Sequence, residues 1–150
     1  MSESSALAES IVHRYLTLIR YQRYMSDLIR RTTDISGRQL GVLRYLVQNG
    51  PRTVGQISQY LYVRDATTSC LLDRMERDGF VTRHRSSEDN RKVYIELTDL
   101  GREVLAHAPT GTAGLMRARL PDIPIEDLQA IDQALKRLSD IAGVDESVLD

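Results

Sequence analysis

The hydrophobic spacing of this chain changes from helical to strand-like at Gly79. Before it, small and apolar residues recur at positions i, i+3, i+4 and i+7: Thr68, Leu71, Leu72 and Met75. This spacing predicts a helix over about 65–78, and Gly79 suits the left-handed conformation that often ends a helix. Beyond it, alternation over 80–85 and 93–97 predicts two strands joined by the polar loop 86–91. The pattern therefore predicts a helix followed by a β-hairpin with an exposed tip.

Further helices are predicted ahead of this unit. Residues 5–32 contain no Gly or Pro and carry two neighbouring apolar stripes, which indicates one long helix that buries more than one face. Ser36 with Gln39, and Thr53 with Gln56, form capping-box patterns that predict where two shorter helices begin. The order ahead of the hairpin is therefore a long helix, a helix, a short helix, a turn and a helix.

Two helices are also predicted after the hairpin. Thr98 suits a helix cap, and the helix that follows is expected to run for about twenty residues and to bend or break at the Pro- and Gly-containing segment 109–114. Pro121 is expected to end it, and Pro124 suits the first residue of the last helix. The apolar residues of that last helix alternate by threes and fours, which is typical of helix–helix contacts.

This order of elements predicts a winged helix-turn-helix, a mainly α fold with a small β-hairpin wing (α+β). The core is expected at 36–101, with N- and C-terminal dimerisation helices at 5–34 and 102–142 of a single domain 1–150. In such a fold one helix braces a second, whose N-terminal turn can enter the DNA major groove. The hairpin can lie along the phosphate backbone and place a basic side chain in the minor groove. We therefore expect a sequence-specific DNA-binding protein.

Two runs of sequence resemble the MarR family of bacterial regulators: LLDRMERDGFV at 71–81 and EDNRKVYIELTDLG at 88–101. In that family a D-R-L-E-like stretch on the recognition helix precedes a wing with D-x-R and a strand that ends in L-T-x-x-G. All three parts occur here in order. The resemblance implies a homodimer with interlocked terminal helices that binds double-stranded DNA at a palindromic operator. It also implies a repressor that is relieved by a small-molecule effector or an oxidant.

The resemblance and the predicted elements together assign the DNA contacts. Arg91 is expected in the minor groove, with Asp89 holding its guanidinium through a charge-assisted hydrogen bond. The other predicted contacts lie on the outward face of the recognition helix or near phosphates on the wing: Arg64, Thr67, Ser69 and Arg74, and Arg83, Arg85 and Lys92.

The recognition helix departs from the family pattern in two places. Residues 64–66 are Arg-Asp-Ala where Ser-Arg-Ser is more frequent, and Cys70 stands where a basic residue is frequent. Asp65 suits a helix cap. This less basic turn slightly favours a rival interpretation, a winged-helix protein-interaction module without DNA binding. A second rival is a ligand- or redox-sensing dimer that acts on another protein. Cys70 is also a candidate redox sensor, because its oxidation near the major groove would disrupt docking on DNA, although a small tolerated side chain is the simpler explanation of Cys70.

Charge is segregated along the chain, whose net charge is −1. Residues 121–150 carry eight acidic and two basic side chains, so this end has a net charge of −6 and the rest has a net charge of +5. A basic body is compatible with a local DNA footprint. The acidic end also fits a solvated tail without a role.

Aromatic residues between the first helix and the winged core suggest where an effector would bind. His13, Tyr15 and Tyr45 are the residues expected to contact it, and core packing is the alternative.

No histidine spacing indicates a metal site, and no glycine-rich loop or nucleophile elbow indicates an enzyme. We therefore expect no catalytic residue, metal or cofactor. The single cysteine, the lack of a signal-like start and the lack of an apolar run of ~18 residues favour a cytoplasmic protein without membrane contact.

Overall fold

A computed structural model describes residues 2–149 and divides the chain into two compact units, one up to Thr112 and one from Ala113. The first unit holds most of the regular elements, and the prediction of a mainly α fold with a small β wing is confirmed. Its elements in chain order are α1 (Glu3–Thr33), α2 (Gly37–Asn49), β1 (Arg52–Thr53), α3 (Val54–Leu61), α4 (Asp65–Arg77), β2 (Val81–Arg85), β3 (Val93–Leu97) and α5 (Asp99–His107).

The core of the first unit is an apolar cluster that joins α2, α3, α4 and the sheet. Its fully buried members include Leu43 of α2, Ile57 of α3, Leu72 and Met75 of α4, and Ile95 of β3. The helical spacing that predicted α4 therefore identifies its buried face correctly. Burial of each such side chain contributes about 1.5–3 kcal/mol, so this cluster fixes the position of α4.

Both predicted capping boxes form. The hydroxyl of Ser36 accepts a hydrogen bond from the backbone N–H of Gln39 at 3.2 Å, and the side chain of Gln39 accepts one from the N–H of Ser36 at 2.8 Å. Thr53 and Gln56 repeat the arrangement at the start of α3. The cap of α4 differs from the prediction: Arg64 is the N-cap residue, and Asp65 is the first helical residue. A carboxylate in the first turn still interacts favourably with the helix dipole.

The sheet has three antiparallel strands in the order β1-β3-β2, and the sequence predicted only β2 and β3. The strand β1 pairs Arg52 with Ile95 and Thr53 with Tyr94. Two residues are too few to show an alternating pattern, and β1 directly follows Pro51, so sequence periodicity gives no signal here. The strand covers the free edge of β3 and leaves β2 at the outer edge of the wing.

Most of α1 has no buried residue in the described chain. Its buried side chains, Met25 and Ile29, both lie in its last third. Earlier apolar side chains are exposed, with Leu7 and Leu18 each 62% exposed and Leu16 50% exposed. The predicted apolar stripes are thus present, but a single chain covers little of them.

The helix predicted after Thr98 is broken, as its composition suggested. The helix α5 ends at His107, Ala108 takes an extended conformation, and α6 (Thr112–Arg119) begins after this break. A 3₁₀ turn, Leu120–Asp122, follows α6 and contains Pro121.

The second unit ends with the long helix α7 (Ile125–Ala142), and Pro124 is its N-cap residue instead of its first helical residue. Several of its apolar side chains are exposed, including Leu135 at 57%. Beyond it, hydrogen bonds from the hydroxyl and the backbone N–H of Ser147 hold the pKa of the exposed Asp145 carboxyl below its ordinary value.

Candidate nucleic-acid interface

The helices α3 and α4 form the helix-turn-helix, and a buried polar contact joins them. The hydroxyl of Ser58 on α3 donates a 2.8 Å hydrogen bond to the hydroxyl of Thr68 on α4. The turn between the helices begins at Tyr62, which adopts a left-handed conformation with φ of 58° and is 85% exposed. Since Thr68 is buried, the residues on the opposite side of α4 face solvent.

The exposed surface of α4 has two flanks. Residues three, four and seven apart share a side of a helix. Thr67 and Arg74 therefore lie on one flank, while Ser69, Asp73 and Glu76 lie on the other. The exposed Arg64 stands at the N-terminus of the helix. The predicted contacts Thr67 and Ser69 thus point to different sides of α4, and both are half-buried.

The flank that carries Asp73 and Glu76 is joined to the wing by Arg83. The guanidinium of Arg83 lies 2.7 Å from the Asp73 carboxylate and 3.8 Å from that of Glu76. Its backbone N–H also donates to Glu76 at 3.1 Å. The sequence predicted Arg83 near DNA phosphates, whereas the structure shows that it connects β2 to α4. Sequence reasoning missed the role of Asp73 and Glu76, although their i, i+3 spacing already placed them on one side of α4.

The tip of the wing is ordered by its own hydrogen bonds. Ser86 donates its backbone N–H to the carbonyl of Lys92 at 2.9 Å, which closes the loop. The guanidinium of Arg85 donates to the carbonyl of Asn90 at 2.9 Å. The carboxylate of Asp89 accepts the backbone N–H of Arg91 at 3.0 Å. These contacts fix the main chain of the tip and leave its end pointing to solvent.

One predicted contact at the tip needs correction. Asp89 was expected to hold the guanidinium of Arg91, but it binds the main chain of Arg91 instead. Within residues 2–149, the exposed side chains of Arg91 and Lys92 form no ion pair. The tip therefore presents two uncompensated positive charges.

The other flank of α4 faces a small groove of about 130 Å³. Its lining residues come from the start of α2, from the turn and from α4: Arg38, Val63, Thr67, Cys70, Leu71 and Arg74. Sequence analysis did not single out Arg38, because it lies ahead of the predicted helix-turn-helix in the chain. Cys70 is exposed on this flank, and its proposed redox role stays a prediction.

The winged arrangement agrees with the comparisons to known proteins. The model of the MarR family matches residues 33–92. The organic hydroperoxide resistance transcriptional regulator of Bacillus subtilis (strain 168) is 33% identical over 108 residues, which cover 70% of each chain. The chain belongs to the MarR family. The named relatives are transcriptional regulators, which favours a DNA-binding regulator over an enzyme.

Other curated relatives match over a smaller share of their own length. The HTH-type transcriptional regulator YfiV of Bacillus subtilis (strain 168) is 31% identical over 106 residues, which cover 71% of this chain and 66% of the relative. Across four of the curated relatives, the matched region spans 44–66% of their length. The structure of Sco3205, a MarR family regulator from Streptomyces coelicolor in complex with DNA, has a TM-score of 0.65 and 18% identity, and covers 100% of this chain and 91% of its own. That similarity shows a shared fold.

The structure gives a physical reason for the L-T-x-x-G motif of this MarR chain. The hydroxyl of Thr98 donates to the carbonyl of Gly79 at 2.6 Å and accepts the N–H of Gly101 at 3.1 Å, so it caps α5 and ties it to the end of α4. A Cβ atom on Gly101 would lie 2.4 Å from the carbonyl oxygen of Phe80. Glycine is therefore required where α5 crosses the start of the wing.

The predicted effector residues do not meet within one MarR chain. His13 and Tyr15 are exposed on α1, whereas Tyr45 of α2 is half-buried and stacks on Tyr60 of α3, with ring centroids 4.3 Å apart. No hydrogen bond or ring contact joins His13, Tyr15 and Tyr45 in the part of the chain that the structure describes.

A larger depression of about 380 Å³ lies along α1. Its lining residues all belong to that helix: Ile19, Gln22, Arg23, Ser26 and Asp27. One helix cannot enclose a ligand, so the depression is open. Across residues 2–149 we find no group of three or more His, Cys, Asp or Glu side chains placed to hold a metal ion, and no helix with the length and apolar character to cross a bilayer.

Proposed function

We propose that this DNA-binding regulator of the MarR family acts as a homodimeric repressor that binds a palindromic operator and releases it when an effector binds. The observation that carries the proposal is that Arg91 and Lys92, at an ordered wing tip beside the exposed face of α4, form no ion pair within residues 2–149. Phosphates supply most of the affinity in protein–DNA complexes, and unpaired Lys and Arg side chains are the groups that bind them.

The proposed DNA contacts follow from the two exposed parts of the winged core. The N-terminal half of α4 enters the major groove, where Arg64, Thr67 and Ser69 are within reach of base edges or phosphates. The wing tip follows the backbone, and Arg91 enters the minor groove, where negative potential favours a guanidinium. Arg85 and Lys92 bind neighbouring phosphates, while Asp89 keeps the main chain of the tip in place.

The homodimer is proposed because of the exposed apolar surface of α1. A helix of this length spans ~46 Å, and helices in proteins gain most of their stability from the packing of an apolar face. Its exposed Leu7 and Leu18 share one side of the helix, and the exposed Leu16 belongs to the second apolar stripe, so the apolar surface of α1 is larger than single scattered side chains would give. The exposed Leu135 on α7 belongs to a second such face, at the other end of the chain. A second copy of the chain has the same two apolar faces. In a homodimer, a two-fold axis would bring each face against the same face of the partner.

Palindromic recognition follows from the same two-fold symmetry. Two equivalent copies of α4 address two equivalent half-sites, which must lie about 34–36 Å apart if they are bound from one side of the DNA. The relatives come from bacteria, whose DNA lies in the cytoplasm. A protein that binds this DNA would therefore act in the cytoplasm. Repression follows when such an operator overlaps a promoter.

The effector site is proposed at the junction of α1 and the winged core in the dimer. There the side chains of His13, Tyr15 and Tyr45, which one chain leaves apart, would line a pocket that the second copy closes. An aromatic ligand could stack on the tyrosine rings. If the effector binds the free dimer more tightly than the DNA-bound dimer, it weakens operator binding. The operator affinity then falls by the ratio of the effector's affinities for the two forms.

One observation favours a second candidate function, a protein-interaction module. Asp65 places a negative charge in the first turn of α4, where a DNA-reading helix meets phosphates. A basic surface on a partner protein would complement this charge. DNA binding measured directly separates this candidate from the operator-binding function.

The experiment that tests the proposed function is a fluorescence-anisotropy titration with labelled DNA from upstream of the protein's own gene. We expect saturable binding with two chains per site, and a loss of affinity when one half-site of the palindrome is scrambled at constant length. DNA without the palindrome serves as the control. Equal affinity for the operator and the control, at several salt concentrations, would refute sequence-specific operator binding.

A further inference from the structure

We propose that Arg38 and Arg74 together bind one backbone phosphate of the operator, on the flank of α4 that faces away from the wing. The inference rests on the proposed function, because it places an additional contact on the same DNA. It assigns a DNA-binding role to α2, a helix that the sequence placed outside the contact surface.

The groove described above gives the geometry. Arg38 is the second residue of α2, and Arg74 lies on α4, so two arginines that are distant in the chain line the same groove. Thr67 also lines the groove, on the same flank of α4 as Arg74. A phosphate in this groove could bind the two guanidinium groups and the Thr67 hydroxyl.

The charges on the two flanks of α4 differ. On the wing side, Asp73 and Glu76 neutralise Arg83. On the groove side, Arg38 and Arg74 are both exposed and have no ion-pair partner among residues 2–149. Arginine binds phosphate with a planar set of N–H donors that suits two oxygens at once. The groove is therefore the side of α4 where an added negative charge is favoured.

A helix in the major groove has a phosphate backbone on each side of it. The wing tip, with Arg91, meets the backbone on one side of α4. The groove of Arg38 and Arg74 lies on the other side, where it would meet the second backbone. Contacts on both sides fix the register and orientation of α4, which is the role that phosphate contacts have in specific complexes.

The first test compares Arg38→Gln with Arg44→Gln. Both variants remove one positive charge from α2, but Arg44 does not line the groove. We expect Arg38→Gln to weaken operator binding about tenfold and to lower the slope of log affinity against log salt by about one. We expect Arg44→Gln to change both quantities much less. Equal effects of the two variants would overturn the inference.

The second test replaces operator phosphates one at a time with uncharged methylphosphonates. Replacement of the phosphate that the groove contacts should weaken operator binding by the wild type and by Arg44→Gln. The same replacement should not further weaken operator binding by Arg38→Gln. The same replacement should also have no further effect on Arg74→Gln. If every replacement weakens Arg38→Gln as much as the wild type, the proposed contact does not exist.

Three other outcomes separate this inference from its alternatives. Inorganic phosphate that raises the melting temperature of the wild type but not of Arg38→Gln, with operator affinity equal in both, would assign the groove to a free anion and refute the DNA contact. A wild type that binds no DNA would refute the proposed function and this inference together. A wild type that binds the operator as tightly as Arg38→Gln does would refute this inference alone.

Discussion

Ser58 donates a hydrogen bond to Thr68 across the helix-turn-helix, at 2.8 Å and with both residues buried. The two hydroxyl groups lie on the helices whose relative position decides how α4 is presented. A buried hydroxyl that loses its partner costs about 1–3 kcal/mol, whereas removal of both partners costs much less. The contact therefore connects the stability of the core to the geometry of the DNA-binding surface.

This relationship predicts non-additive effects in a double-mutant cycle. Ser58→Ala and Thr68→Val should each lower the free energy of unfolding by about 1–2 kcal/mol, because each leaves one hydroxyl without its partner. The double variant should be more stable than the sum of the two losses predicts. Urea denaturation measures all four free energies of unfolding. Additive losses would show that the hydrogen bond contributes no coupling.

The contact between Gly101 and Phe80 predicts a large loss of stability in Gly101→Ala. The added methyl would lie 2.4 Å from a backbone carbonyl oxygen and 2.8 Å from a side-chain carbon of Leu97, so the start of the wing must shift. We expect a loss of about 3 kcal/mol, measured as a lower melting temperature.

Gly55→Ala is the matched control for that variant. A Cβ atom at Gly55 in α3 would have Thr53 Oγ1 as its nearest neighbour at 4.0 Å, which is open space. Alanine in a helix is favoured over glycine by about 0.5–1 kcal/mol, so this variant should melt at a slightly higher temperature than the wild type. A similar loss in both variants would mean that backbone flexibility, not the Phe80 contact, explains the requirement at Gly101.

The sequence predicted the helices and the two wing strands because each has a local signal. The capping boxes at Ser36 and Thr53 mark helix starts through contacts within three residues. The spacing around Leu72 and Met75 marks a buried face. The strand β1 has no such signal, because its two residues become a strand only through pairing with β3, more than forty residues later.

The candidate site was predicted less completely than the fold. The exposure of Arg91 followed from its place in a polar hairpin tip. The pairing of Arg83 with Asp73, and the proximity of Arg38 to Arg74, depend on how the elements pack, which charge patterns along the chain do not contain. The sequence therefore identified most of the positive charges near α4 but not which of them are already neutralised.

The exposed face of α1 predicts that a charge on it separates the proposed dimer. Leu16→Glu should shift the protein from dimer to monomer, because an unpaired carboxylate in an apolar interface costs several kcal/mol. Val47→Glu is the control, since Val47 is similarly exposed, at 42%, but lies on α2. Sedimentation velocity over a range of concentrations measures the assembly. A dimer of unchanged affinity in Leu16→Glu would place the interface elsewhere.

The ion pairs of the wing predict that two arginines on it differ in their contribution to DNA binding. Arg91 has no ion-pair partner in the described part of the chain, so Arg91→Gln should lower the slope of log affinity against log salt by about one and should weaken binding to all DNA sequences similarly. Arg83 is held by Asp73 and Glu76, so Arg83→Gln should change that slope by much less. It should also lower the free energy of unfolding by less than about 1 kcal/mol, because the pair is partly solvent-exposed. Anisotropy titrations over a salt series measure both slopes, and a larger decrease for Arg83→Gln than for Arg91→Gln would mean that Arg83 leaves its carboxylates for a phosphate when DNA binds.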